Sequence, residues 1–504
     1  MIKWLKEHKK LIVFSLYACI TFALLFFHEN WRDEAQAWLL ARDCSIPELI
    51  NAMKYEGHFL IWYFILMPFA KLGFPYETTN IISWLITCIS VWLVLDQAPF
   101  RFDKRVLFIS TFPLLYLFPV ISRCYCLIPL ATVLMSIFYK DRYAKPLRYL
   151  LSIVFLLNTH VIMAGMVGVV LFDFLIDLFK ARKYFSKSLM WKYFRCFLIT
   201  FVLALASIFP LFGSLSTNKS LNIVHITIFK FLEALFLYPY TLLRENVFLG
   251  TENFIIRVFV SIIIIIVILF EIQYRPFKCL KIWLCLIWQC MIYSFIFGES
   301  LQKASTIIFI ILFFQWSEAH IGNDNIGRHF SSLKKIQSLF VVVYLTMNIL
   351  TGWLYITHYA LSSKFSNASD AANYINNHLP DNSIILNGSR VEYTSSIIPY
   401  VNKNIKFFSI AGSRYFSYAI MDETNNLEIN LGDFKNLLST FNEKQELYYV
   451  YCPGKVKLTG NSEEKRIIEQ LRSQGILKVL YVSNDKSINA EDYILYGINL
   501  DNVR

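Results

Sequence analysis

The chain has 504 residues, 56% of them apolar and 17% charged, with a mean hydropathy of +0.48. That composition excludes an ordinary soluble globular protein and puts most of the chain in lipid. The net charge of +12 is uneven: residues 365–504 carry 14 Lys/Arg against 16 Asp/Glu, leaving 34 against 20 for the rest. The basic excess therefore belongs to loops beside a membrane, where it sets orientation, and no nucleic-acid partner is implied.

Taken in chain order, a basic start (Lys3, Lys6, Lys9, Lys10) precedes the first apolar run, and no small-residue cleavage site follows, so the run reads as a retained span. Runs of about 16 to 21 apolar residues count as spans. They fall near 10–27, 79–95, 106–121, 124–139, 149–160, 161–178, 196–213, 254–272, 282–297, 304–320 and 337–357, eleven in all. With a cytoplasmic N-terminus, the inner segments 1–10, 96–105, 140–148, 180–195, 273–281 and 321–336 hold 23 of the 34 basic residues. The positive-inside rule is then obeyed at every turn. The stretch 149–178 is apolar except around Asn158, Thr159 and His160; the basic cluster Lys180 to Arg195 favours two spans over one.

The outer loop 28–78 has helical apolar spacing at Ala35–Ala41 and Ile46–Met53, as expected of short helices along the interface. Phe59–Leu72, which contains Pro68 and ends near Gly73, reads as a half-buried or re-entrant helix. A second outer segment, 214–253, carries Lys230, Glu233, Arg244, Glu245 and Glu252 and reads as a lid over the same face. Beyond the last span the composition changes to that of a small α/β domain. Ser369 is placed to cap a helix Asp370–Leu379. Strands are expected at Ser383–Leu386, Ile397–Val401, Lys406–Ile410, Glu446–Cys452, Ile476–Val482 and Tyr493–Ile498, with a helix Glu463–Ser473 ended by Gly475. The domains are thus a membrane part, 1–360, and an outer α/β part, 361–504. No phosphate loop, dinucleotide glycine pattern or repeat is visible. The ten cysteines show no metal spacing, Cys124-x-Cys126 being too tight, and Cys452 has no partner in the tail.

Polar groups fall at one membrane depth on the outside: Asp33 and Glu34; Glu56-Gly57-His58; Ser122-Arg123-Cys124-Tyr125; Asn158-Thr159-His160; and Gly298-Glu299-Ser300 with Gln302 and Lys303. Each has a bland reading as well. Acids favour a helix's first turn, Arg123 can snorkel at a span's end, Asn158 and His160 can bond neighbouring helices, and Glu299 with Lys303 is an i,i+4 pair. Asp173 and Asp177, near an inner end, read as structural. Chemically, a carboxylate just outside the bilayer can take a proton from an acceptor hydroxyl or amine, while cationic groups hold a departing phosphate. That pairing points to glycosyl transfer from a lipid-linked donor.

The run Arg32-Asp33-Glu34-Ala35-Gln36-Ala37-Trp38, followed by Tyr55-Glu56-Gly57-His58 and Leu60-Ile61-Trp62-Tyr63, resembles the start of a bacterial family of integral membrane glycosyltransferases of the GT-C fold. Ala98-Pro99-Phe100, Val120-Ile121-Ser122-Arg123-x-Tyr125-x-Leu127 and Leu157-Asn158-Thr159 extend the likeness in the right order. The group is similar to the protein O-mannosyltransferases and the lipid A aminoarabinose transferases. The resemblance implies catalysis by Asp33 with Glu34 as a supporting acid, and donor-phosphate binding by Arg123 and His58. Substrate contacts fall to Glu56, Tyr125, Asn158, His160, Glu299 and Lys303. It implies a polyprenyl-phosphate sugar donor, a glycan, lipid or protein acceptor, and membrane lipid as surroundings. Some GT-C relatives use a divalent metal; here only Asp33, Glu34 and His58 could suggest one, and no cofactor is assigned. Two departures stand out: Phe59 where many members have proline, and Glu299-Ser300-Leu301-Gln302-Lys303-Ala304-Ser305 where they have an Arg-His-His-Gly-like run.

The expected fold is an α-helical polytopic membrane protein of GT-C type, with about eleven transmembrane helices and a C-terminal extracytoplasmic α/β domain. The expected location is the plasma or inner membrane. A transporter or flippase of a lipid-linked glycan is the alternative, but it would place ionisable residues near the midplane and often repeat its halves. A non-catalytic envelope-assembly protein with the same fold is a third reading, against which Asp33 and Glu34 argue.

Overall fold

The computed structural model describes residues 7–56, 58–211, 228–237, 254–296, 300–321, 329–388, 390–402, 404–420, 429–441, 445–454 and 462–502. The chain divides into two compact units. One comprises residues 1–26, 80–209 and 220–356; the other comprises 27–79, 210–219 and 357–504.

The first unit is helical. The described residues of the apolar runs lie largely on helices, from Lys9–Leu25 to His329–Tyr355; residues 212, 213 and 297 lie outside the described residues. Five of the described helical stretches are long and apolar enough to cross a membrane: Thr78–Gln97, Val161–Tyr184, Lys187–Leu211, Pro276–Phe295 and Val341–His358. The stretch 149–178 is two helices, Pro146–Leu157 and Ala164–Ala181, with the break at Asn158, Thr159 and His160. The run 106–121, expected as one span, is broken into Phe102–Ile109, a wide π turn Pro113–Leu117 and a short turn Phe118–Val120. Pro113 and Pro119 have no N–H to give a regular helix. The N–H of Phe112, beyond the end of Phe102–Ile109, donates to the side chain of Asn348 at 2.9 Å.

Packing in this unit is close. Helix Ala164–Ala181 lies against Pro276–Phe295 so tightly that a Cβ on Gly165 would stand 2.3 Å from Trp288 Cβ, and Trp288 donates its indole N–H to the Val161 carbonyl at 2.9 Å. Ion pairs gather where the sequence places inner loops: Lys10 with Asp96 at 2.8 Å, Lys281 with Asp173 at 2.6 Å, and Arg275 and Lys278 with Glu318. Asp177 accepts a 2.7 Å hydrogen bond from Tyr143. These acids hold the helix ends together.

The second unit joins the loop 28–78 to the C-terminal domain. Helices Arg32–Asp43, Ile46–Glu56 and Ile61–Lys71 fill the loop. The α/β part is a mixed sheet of β1 (Ile384–Asn387), β2 (Lys406–Ser409), β3 (Arg414–Phe416), β4 (Leu447–Tyr451), β5 (Leu477–Val482) and β6 (Ile494–Ile498), ordered β3-β2-β1-β4-β6-β5. β1 is parallel to β2 and β4, with Ile384 opposite Lys406 and Leu447. The remaining pairings are antiparallel. β1 and β4 are buried along their whole length, as a central strand with covered faces must be. Leu39 of the loop helix belongs to the same core as Ile385, Leu386, Phe407 and Tyr449.

Two tail expectations are corrected. Ile397–Val401 is not a strand; Ile398–Tyr400 forms a 3-10 turn with proline at its second position, where the missing N–H costs nothing. The helix expected from Asp370 starts earlier, at Ala368, and runs to His378, so Ser369 lies inside it and does not cap it. β3 and the helix Leu431–Thr440 were not anticipated. Gly475, at φ 71°, does end the helix Ser462–Ser473, and the Ile476 N–H returns to the Leu471 carbonyl at 3.0 Å. Of the proposed lid, only residues 228–237 are described; Arg244, Glu245 and Glu252 lie outside the described residues.

Candidate active site

Asp33 and Glu34 occupy the first turn of helix Arg32–Asp43, so the two acids share one turn with different surroundings. Glu34 is wholly buried. Its Oε2 accepts the backbone N–H of Trp31 at 3.2 Å, the reach-back that satisfies an orphan donor at a helix start. The same oxygen lies 2.9 Å from His28 Nε2, with both side chains fully shielded from solvent. The His28 ring packs edge-on against Phe365, centroids 4.7 Å apart. Asp33, by contrast, keeps 26% of its side chain exposed, and its Oδ1 is 3.3 Å from Arg32 Nε.

Residues far along the chain complete this helix start. The backbone N–H of Arg32 donates to Glu491 Oε1 at 3.2 Å, and the Ser366 hydroxyl donates to Glu491 Oε2 at 2.8 Å. Burial works against the charge on Arg32, yet the carboxylates of Asp33, Glu392 and Glu491 outweigh it and raise its pKa above the ordinary guanidinium value. One turn on, the Gln36 amide pairs in both senses with the backbone of Ala419, donating at 2.7 Å and accepting at 2.9 Å. Gln36 also donates to Glu56 at 2.7 Å. Tyr76 and Tyr400 meet edge to face at 5.1 Å. Burial, then Glu77 and Glu34, push the Tyr400 phenol up.

Among the expected site residues, this unit therefore brings together Asp33, Glu34 and, through Gln36, Glu56. His58 is half-buried beyond the end of helix Ile46–Glu56. The sequence reading missed His28, Gln36, Glu392 and Glu491 as parts of this arrangement. Gln36 was within the quoted motif, but nothing in the sequence could pair it with Ala419.

In the helical unit, Arg123, Tyr125 and His160 form a second group. Arg123 precedes the 3-10 turn Cys124–Cys126 and lies over the Tyr125 ring, 5.3 Å from its centroid. Tyr125 stacks on His160 at 4.8 Å, with its hydroxyl 3.2 Å from Nε2. His160 Nδ1 accepts the Ile162 N–H at 3.2 Å. In a neutral ring the proton therefore sits on Nε2, which donates to the Tyr125 oxygen and directs the phenolic proton elsewhere. Asn158 donates to the carbonyl of Val154, 2.9 Å away in its own helix. Lys303 closes the short helix Leu301–Ala304, whose N-cap is Ser300. Glu299 lies outside the described residues, so its expected pairing with Lys303 has no structural account. Among the described residues, no three His, Cys, Asp or Glu side chains converge to hold a metal ion.

The structure is mostly helical, with several apolar helices and one small mixed sheet. The chain matches a solved structure of ArnT from Cupriavidus metallidurans bound to undecaprenyl phosphate, with 10% identity and a TM-score of 0.53, over 97% of this chain and 98% of that one. It also matches the apo structure of the same protein at 12% identity and a TM-score of 0.50, with the same coverage. The likeness is one of fold. No protein-family model matches the chain, and no curated protein matches it.

Proposed function

We propose that the chain is an integral membrane glycosyltransferase that moves a sugar from a polyprenyl-phosphate-linked donor to a hydroxyl or amine acceptor at the outer face of the inner or plasma membrane. Residues 1–360 carry the transmembrane catalytic body, with the N-terminus cytoplasmic, and residues 361–504 form an extracytoplasmic domain. Asp33 takes the acceptor proton as the acceptor attacks the anomeric carbon. The bond from that carbon to the phosphate oxygen breaks, and its electron pair leaves with the polyprenyl phosphate. Arg123 and His58 stabilise that phosphate. Glu34 supports Asp33 by anchoring the loop. Glu56, Tyr125, Asn158, His160, Glu299 and Lys303 line the substrates.

The observation that carries this reading is the contrast within one helical turn: Glu34 is buried on His28 and Trp31, while Asp33 remains partly exposed beside Arg32. A rigidly anchored carboxylate open to solvent is what a positioned proton acceptor requires. The ArnT-like fold over 97% of the chain supports the lipid-linked donor. The test is a surface-glycan profile of cells carrying Asp33→Asn in place of wild type, with membrane levels of the protein measured. A glycan lost while the protein is still inserted supports the reading; an unchanged glycan overturns it.

A further inference from the structure

We propose that Glu491, near the C-terminus, is a positioning residue for Asp33: it caps the acid-bearing helix from the far end of the chain. The inference rests on the reading of Asp33 as the reacting carboxylate. The first N–H groups of a helix have no partner inside it. In helix Arg32–Asp43 the N-cap is Trp31, whose side chain has no oxygen to offer. The N–H of Arg32 is met by Glu491, 459 residues along the chain. A carboxylate at this end also faces the positive pole of the helix dipole.

Glu491 is itself fully buried and fixed. Ser366 donates to its second oxygen, and its backbone carbonyl accepts the N–H of Asn367 at 3.1 Å. It therefore reaches Asp33 by two routes. The first is the backbone of Arg32, which sets where the helix begins. The second is the charge on the Arg32 guanidinium, which is 3.3 Å from Asp33 Oδ1 and is also favoured by the Glu491 carboxylate. Glu392, 7% exposed and in the same domain, also favours the charge on that guanidinium. The outer α/β domain is thus part of the catalytic apparatus through a contact to the main chain. Buried carboxylates are costly unless each oxygen is used, and both of these are used.

The two routes are separable. Glu491→Gln keeps an oxygen for the Arg32 N–H but removes the charge; Glu491→Ala removes both. Each full-length variant would be expressed beside wild type and Asp33→Asn, and three quantities read. These are surface glycan per inserted protein, hydrogen–deuterium exchange of peptides covering 28–40, and binding of undecaprenyl phosphate. Glu491→Ala should lower product about ten- to a hundredfold, the scale of a misplaced catalytic group, and speed exchange over 28–40 while leaving undecaprenyl-phosphate binding unchanged. Glu491→Gln should keep slow exchange and most of the product. Wild-type product and exchange in Glu491→Ala, with Asp33→Asn inactive, would overturn the positioning role and leave the function standing. So would faster exchange throughout residues 365–500 with none specific to 28–40, since the effect would then be general unfolding of the domain. Product retained by Asp33→Asn would overturn the functional reading and the positioning role together.

Discussion

Glu34 is where the proposed division between a reacting and an anchoring carboxylate can be tested most sharply. Its Oε2 serves two buried partners, the Trp31 N–H at 3.2 Å and His28 Nε2 at 2.9 Å. The other ring nitrogen of His28, Nδ1, is buried without a hydrogen-bond partner among the described residues. Glu34→Ala would therefore leave the imidazole with neither nitrogen paired and take away the carboxylate that the Trp31 N–H meets. A buried polar group deprived of its partner costs about 1–3 kcal/mol, a loss that His28 alone imposes. Glu34→Gln keeps the shape and one acceptor oxygen and should cost about 1–2 kcal/mol. The assay is thermal unfolding of the detergent-solubilised protein, read together with amide exchange over 28–40 and glycan product per inserted protein. Glu34→Ala should melt earlier and exchange faster locally, whereas Glu34→Gln should be close to wild type in product. If Glu34→Gln were as inactive as Asp33→Asn at normal stability, Glu34 would be a reacting acid and the anchoring argument would fail.

In the α/β domain, burial raises the phenols of Tyr449 and Tyr493 well above the ordinary value of 10.0, and that of Tyr448 to about 12. The folded state keeps these groups protonated, so their contribution is complete below pH 10.0 and fades as pH rises past it. Alkaline titration by tyrosinate absorbance should show their ionisation coinciding with unfolding of that domain; reversible ionisation with the domain still folded would contradict this. Gly388→Ala would put a Cβ 2.0 Å from Glu464 Oε1 and 2.5 Å from the Tyr449 hydroxyl, which are themselves bonded at 2.6 Å. Overpacking of this kind costs about 1–3 kcal/mol, visible as a lower melting temperature. Tyr125→Phe and His160→Ala should each lower product, and the double variant should lower it no further than the worse single one, because the pair acts as a unit; fully additive losses would separate them. Gly165→Leu should impair insertion or stability of the helical unit through its clash with Trp288, and Trp288→Ala should partly restore it.

What the sequence made legible follows the range over which each feature is encoded. Apolar runs announce helices because the signal is local, and even the Asn158–His160 break was visible as three polar residues in an apolar stretch. Buried strands β1 and β4 were equally plain, being apolar or aromatic except for Asn387 at the end of β1. Ile397–Val401 misled because a short apolar run with a proline fits a strand's end and a 3-10 turn equally well, and only its partners decide. The run 106–121 looked continuous because Pro113 and Pro119 are apolar and tolerated in membrane helices; at the break the Phe112 N–H is met by Asn348, more than two hundred residues on.

The same distinction runs through the acid-bearing loop. Arg32, Asp33 and Glu34 are adjacent, and their chemistry could be read from that adjacency. What makes Glu34 an anchor and leaves Asp33 exposed is His28, Trp31, Phe365, Ser366 and Glu491, drawn from both ends of the chain. No periodicity or spacing links residue 34 to 365 or 491, because those contacts are made by the fold of the second unit as a whole. It follows that the motif alone does not secure the geometry it advertises. A chain carrying Asp33 and Glu34 but lacking the domain that supplies Ser366, Ala419 and Glu491 would present the same two carboxylates on a helix start with one N–H unmet and Gln36 unpaired from Ala419. Such a truncation at residue 361 should insert in the membrane yet show fast exchange over 28–40 and no product. Product at wild-type level from that truncation would mean that the loop holds its own shape, against every long-range contact described above.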